Sequence, residues 1–194
     1  MCIRDRSEVV RSTKRIVAGA AAFQLEAGRK AETSTHGASV GPPLVARIFT
    51  ICKGDDAGEI YAREVVEALA AIRRQLVDLE DLDDRVAVIG PDETFIEKLR
   101  EPLDRALGGF ELVDAATASA ALPRGDTEAR DGSKQWLVVD TVENMDGLER
   151  LVVICVGLDQ VIDRSAGVLE TRSRLYRAMT RAQLAVAVVN EALP

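Results

Sequence analysis

Four short runs constrain this chain more than any other feature. They are "VAVIG" at Val86–Gly90, "QWLVVDT" at Gln135–Thr141, "LVVICVGL" at Leu151–Leu158 and "LAVAVV" at Leu184–Val189. Each is apolar almost without alternation, so each predicts a strand that buries both of its faces. The segments between them carry helical spacing. In residues 56–79, Val65, Leu69, Ile72, Leu76 and Leu79 recur at steps of 4, 3, 4 and 3, and Asp92 stands where it would cap a helix over residues 93–107. Strands that need cover on both sides, alternating with helices able to provide it, predict one α/β domain: a mostly parallel sheet with helices on both faces.

The remaining segments fit around that frame. Residues 7–25, "SEVVRSTKRIVAGAAAFQL", read as one helix capped near Ser12 or Thr13, with Ile16, Val17, Ala20 and Phe23 on its apolar side. Residues 26–43 are Gly/Pro-rich and polar and predict a mobile loop. "LVARIFTIC" is strand-like. Glu59 and Arg63 are spaced for an i,i+4 pair, and Pro102 is expected to kink its helix. "GFELVDA" predicts a further strand, residues 115–134 a surface loop holding a short helix, and residues 160–167 another loop. A last helix is expected over Leu169–Ala182. The opening "MCIRDRS" resembles translated adapter sequence, so residues 1–7 are expected to be a non-native lead. Residues 8–43 then form a helix and loop, and residues 44–194 the main domain.

Composition excludes some functions. With 47% hydrophobic residues in 194 there is material for a core, and with 4% aromatics that core has to be aliphatic. A net charge of −7 argues against nucleic-acid binding through overall charge but leaves room for a local basic patch. Cys2, Cys52 and Cys155 are too far apart for a disulfide framework or a zinc site. Cys52 and Cys155 read as buried thiols of a reducing compartment. No run reaches the roughly 18 apolar residues of a membrane span, and the charged opening is not a secretory leader. The expected location is intracellular, in cytoplasm or nucleus. His36 falls in the predicted loop and reads as surface.

The charged residues of interest lie near the end. Arg174, Arg177 and Arg181 are spaced i, i+3, i+7, which places them on one face of the last predicted helix, with Leu175, Ala178, Met179 and Ala182 free to pack inward. Such a face can be merely solvated, or it can present guanidinium forks to phosphate. Asp140 ends its strand as a Walker B acid or a phosphoacceptor would, but it has no acidic neighbour. No G-x-x-x-x-G-K-[ST] phosphate loop occurs anywhere.

Three segments together resemble superfamily 1 helicases of the UvrD/PcrA type. "RLYRAMTRA" resembles motif VI, near "LLYVALTRA", through Leu175, Tyr176, Ala178, Thr180, Arg181 and Ala182; Arg177 stands where an apolar residue is usual. "TVENMDGLERLVVICVGLD" resembles motif V through Thr141, Gly147, Leu148 and Glu149, with Glu143 and Asp146 in place of that family's His and Lys. "EVVRSTKRIVAGAAAF" resembles motif IV, with Arg11 and Ser12 in place. The likeness covers roughly residues 8–191.

The resemblance implies the second of two RecA-like domains. ATP with Mg2+ would lie in the cleft between them, the metal ligands coming from a separate N-terminal RecA-like domain. Arg181 and Arg11 would be arginine fingers toward the γ-phosphate, and Glu149, Gly147 and Arg177 would lie at the nucleotide. Arg174 and Arg177 would either orient the cleft or pair with acids. Single-stranded nucleic acid would be a partner, though Glu143 and Asp146 would repel its backbone. Two readings follow: half of an ATP-driven motor, or a non-motor, nucleotide-responsive switch on the same fold. A stand-alone doubly wound binding domain is the blander third.

Overall fold

A computed structural model describes residues 12–23, 39–76, 82, 84–121, 134–158 and 167–192. Residues 1–7, Arg11, His36, most of the predicted loop at 26–43 and all of the predicted loop at 160–167 but Gly167, which opens the last helix, lie outside the described residues. Six strands form one sheet: β1 (Val45–Phe49), β2 (Val86–Gly90), β3 (Phe110–Val113), β4 (Gln135–Thr141), β5 (Arg150–Val156) and β6 (Ala182–Glu191). Their order is β1-β6-β5-β2-β4-β3, and every ladder is parallel. The helices are α1 (Lys14–Ala21), α2 (Ala57–Gln75), α3 (Glu93–Ala106), α4 (Ala115–Ala121) and α5 (Gly167–Met179).

The pleat sorts the strands between two cores. Val86 and Val88 of β2, Leu137 and Val139 of β4, and Val152 and Ile154 of β5 face α2 and α3. Their neighbours Ala87, Ile89, Val138, Val153 and Cys155 face the other side, with α1, α4 and α5. This is the two-sided burial that the unbroken apolar runs predict. Asp56 caps α2 through Gly58 and Glu59, and Asp92 caps α3 through Phe95.

The first helix is capped at Thr13, as expected, and starts at Lys14; Ser12 Oγ donates to Ala182 O at 2.5 Å and Thr13 N to Gln183 O at 3.1 Å. Several local expectations are revised. Glu59 reaches Arg105 of α3 at 2.6 Å instead of Arg63. Cys52 is exposed, while Cys155 is buried as expected. The last helix ends at Met179, so Arg181 and Ala182 are not helical. Among the described residues no helix is long and apolar enough to cross a membrane.

Candidate functional site

The site is built around residues 142–149, which carry the chain from the carboxyl end of β4 to the start of β5. Val142 and Met145 are buried against the α1/α5 side of the sheet, so this short connection crosses that face and needs no helix to cover it. Amide bonds from Met145 to Thr141 O, Asp146 to Glu143 O and Leu148 to Met145 O hold it in consecutive turns. Gly147 closes them with φ +86°, a conformation that side chains with a Cβ rarely adopt. Asp140 anchors the start. Its buried carboxylate accepts from Ala115 N at 2.8 Å, Thr141 N at 2.7 Å and Asn144 Nδ2 at 2.8 Å. A carboxylate so occupied is a structural tie between β4, α4 and the crossover, not a free phosphoacceptor.

With Val142 and Met145 inward, Glu143 and Asp146 face α5. That helix buries Leu175, Ala178 and Met179 and turns its arginines toward the acids. Arg177 Nη2 lies 2.6 Å from Asp146 Oδ2, and its Nη1 lies 3.7 Å from Glu143 Oε1. Arg174 Nε stands 3.7 Å from Glu143 Oε1 and Arg181 Nη2 3.7 Å from Asp146 Oδ1. Three arginines and two acids thus form a ladder along adjacent chain segments. Only the Arg177–Asp146 rung reaches the length of a charge-assisted hydrogen bond. The expected pairing of Arg174 and Arg177 with acids is found, and the acids are the two that depart from the motif V pattern.

Arg181 occupies the turn between α5 and β6. Its amide donates to Ala178 O at 3.1 Å, and its carbonyl accepts from Arg150 N at 2.9 Å. The turn therefore sits at the amino ends of β5 and β6. Among the described residues the Arg181 guanidinium makes no hydrogen bond; Asp146 is its one charged neighbour. Glu149, just before β5, accepts from Gln183 Nε2 at 3.1 Å at the same end of the sheet. Ser12 and Thr13 dock on Ala182, Gln183 and Leu184, the residues after Arg181. Of the candidate residues, Gly147 and Glu149 lie on the crossover, Arg177 lies on α5 beside it and Arg181 in the turn before β6, whereas Arg11 lies outside the described residues.

Two features were not read from sequence. Arg150 opens β5 as a buried cation. It donates to Asp84 Oδ1 at 3.0 Å and Glu149 O at 2.9 Å, while its buried Nε has no partner among the described residues. Asp84 itself has φ +52°. A charged residue leading an apolar run was the available signal. The second feature is a cleft of about 740 Å3 outside the carboxyl end of β4, between α3, α4 and the crossover. Such crevices are where open α/β sheets take ligands. Among the described residues five carboxylates line it, from Glu93, Glu97, Asp114, Asp140 and Asp146, against one cation, Arg100. The Asp114 carboxyl is held below its ordinary range, first by hydrogen bonding from Thr117 and last by Arg100. This cleft is therefore set against phosphate. Arg100 is committed to Leu112 O and Val139 O. Among the described residues no group of three or more His, Cys, Asp or Glu could hold a metal ion.

No protein-family model matches the chain, and no curated protein matches it. Solved structures do. The C-terminal domain of a possible DNA helicase from Lactobacillus plantarum WCFS1 matches with a TM-score of 0.57 and 20% identity, over 93% of this chain and 86% of that one. The DExH-box NTPase HrpB of E. coli matches with a TM-score of 0.45 and 13% identity, over 78% of this chain and 20% of that one. The first likeness shows the fold: an α/β domain with a six-stranded, all-parallel sheet, consistent with that of a RecA-like helicase C-terminal domain.

Proposed function

We propose that the chain is the second RecA-like domain of a superfamily 1 helicase-like ATPase of the UvrD/PcrA type. It would supply arginine to ATP held against a separate N-terminal RecA-like domain. One observation carries the reading. Ser12 and Thr13, from the motif IV-like segment, bond to the residues directly after Arg181 of the motif VI-like segment, 170 positions away in sequence. Two segments matched separately to one active site therefore meet at the amino end of β6.

The residues fit a phosphate in chemistry. The Arg181 side chain is about a quarter exposed (24%), and its guanidinium makes no hydrogen bond among the described residues; a planar, permanently charged fork suits phosphate oxygens. ATP would supply the scissile phosphoanhydride, with Mg2+ held by the other domain. Within this chain, Arg181 would stabilise charge on the transferring phosphoryl oxygens, and Arg11 is proposed to do the same. Glu149 would lie at the nucleotide, kept in place by Gln183. Gly147 would shape the crossover, and Arg177 would hold Asp146. Because the finger comes from this domain, turnover would depend on closure against the other, which couples hydrolysis to motion. Single-stranded nucleic acid is the proposed track.

The test is ATP hydrolysis by the full-length gene product, with and without single-stranded DNA or RNA, beside Arg181→Ala and Arg11→Ala. Loss of turnover in folded variants supports the reading; unchanged turnover ends it. The second reading, a non-motor switch, is favoured by the ladder itself, since Glu143 and Asp146 stand where a track-binding surface would want cations. ATP turnover indifferent to any polymer would select it.

A further inference from the structure

The ladder opposes two carboxylates to three guanidinium groups at the place where phosphate is proposed to arrive. Its rungs are unequal. Arg177 is held by a hydrogen bond of 2.6 Å, whereas Arg181 is held only at 3.7 Å, beyond hydrogen-bonding distance. Glu143 and Asp146 are about half exposed, at 49% and 56%, so either can swing into water without unfolding anything. Val142 and Met145, by contrast, are buried and fix the backbone beneath them.

We propose that Glu143 and Asp146 are an internal counter-anion that occupies the arginine face and restricts it to multiply charged phosphate chains. The proposal rests on the reading of Arg181 as a phosphate-facing group. A monophosphate, with a charge of about −1.5 to −2 near neutral pH, offers the arginines little that the two carboxylates do not already provide. A linear triphosphate carries roughly twice that charge on adjacent oxygens and can span both Arg177 and Arg181. When it does, Asp146 is released from both arginines at once, because Arg177 binds one of its oxygens and Arg181 faces the other. The acids thus act as regulation and selectivity on the same site: they raise the charge an anion must carry before it can enter.

The test uses the 194-residue chain and inorganic tripolyphosphate and monophosphate as probes. Binding is followed by calorimetry and by the NMR signals of the arginine side-chain Nε–H groups. Asp146→Asn should bind tripolyphosphate about tenfold more tightly than wild type, the order expected for removing one unit charge near 4 Å in a solvated site. Glu143→Gln should show a smaller gain. Asp146→Asn should shift the signals of Arg177 and Arg181, and Glu143→Gln those of Arg174 and Arg177. Glu67→Gln, exposed on α2 across the sheet, makes the same change in net charge and should leave affinity unchanged. Adding Arg177→Gln and Arg181→Gln to Asp146→Asn should abolish the gain.

The proposal is overturned if Asp146→Asn and Glu143→Gln bind tripolyphosphate no better than wild type. It is equally overturned if Glu67→Gln gains as much, or if the gain survives loss of both arginines. Neither result bears on ATP turnover by the full-length protein, so failure of the counter-anion and failure of the ATPase reading are separately visible.

Discussion

Arg177 and Asp146 meet at 2.6 Å although 31 positions separate them in sequence, and each stands where the chain differs from the motifs it resembles. By that resemblance a cation on α5 stands for an apolar residue, and an acid on the crossover stands for a lysine. Together the two departures cancel. Apart, either would leave an extra charge on this face. The pair is partly exposed, so its direct contribution is modest. A double-mutant cycle with Arg177→Gln and Asp146→Asn, read by urea unfolding, should give a coupling of about 0.5–1 kcal/mol at low salt. It should vanish near ~1 M salt, where the screening length falls to about 3 Å. Zero coupling at low salt would mean the contact is not maintained in solution.

The sequence made the sheet legible because strands buried on both faces leave an unbroken apolar run, and β2, β4, β5 and β6 all do. It placed Arg174 and Arg177 on the correct helix for a similar reason, since Leu175, Ala178 and Met179 have helical spacing, but it extended that helix through Arg181. The end of that helix was misplaced by three residues. Local composition in "LYRAMTRAQL" favours helix throughout, but Ala182 pairs with Arg150 of β5, a tertiary bond that overrides local preference. Glu59 was assigned to Arg63 because the i,i+4 rule sees one helix only, and Arg105 arrives from another. The ladder was invisible for a geometric reason. Glu143, Asp146 and Arg177 each stood out as departures, but their pairing requires a crossover that runs beside α5. The acidic cleft could not be read because α3, α4 and residues 142–149 come together only in three dimensions.

Arg150 presents a different electrostatic case from the ladder. Its side chain is 5% exposed, and its partner Asp84 only 19%. Truncation to Ala removes the pair, the bond to Glu149 O and a buried aliphatic stem together. Arg150→Ala should therefore cost about 3 kcal/mol in urea unfolding. Combining Arg150→Leu with Asp84→Asn removes both charges, keeps apolar volume and leaves at position 84 a residue tolerant of positive φ. That double variant should recover most of the loss. If Arg150→Ala costs less than about 1 kcal/mol, the amino end of β5 is held by its strand bonds alone.

Cys155 sets an alkaline limit. Burial pushes its thiol from 9.0 up to about 12. Below pH 9 the thiol is neutral in both folded and unfolded chains and contributes no pH dependence. Above that, only the unfolded chain releases the proton, so stability falls as pH rises from 9 toward about 12. The slope from this one group is at most about 1.4 kcal/mol per pH unit. Cys155→Ala should flatten the decline in urea unfolding measured between about pH 9 and pH 11 relative to wild type. An alkylating reagent should modify Cys52 in the native chain and leave Cys155 untouched until denaturant is added. Equal alkaline slopes in the two proteins would show that Cys155 is not sealed from water.

Gly147 separates a conformational from a contact role. Its φ is +86°, and a Cβ built there meets no described residue within 4 Å, unlike Gly41, where a Cβ would strike the Thr13 side chain. Substitution at 147 thus carries a backbone penalty and no steric one. Gly147→Ala should cost about 1 kcal/mol, and Gly147→Asn less, since asparagine tolerates this region. The same two variants test the proposed nucleotide role. If Gly147 only shapes the turn, ATP turnover by the full-length protein should track stability, with Asn nearly wild type. If a ligand approaches the Cα in the closed protein, both variants should lose turnover to a similar degree, whatever their stability. The chain's own geometry favours the first outcome: the space above Gly147 is open, and the residues beside it are needed to present Asp146 to Arg177.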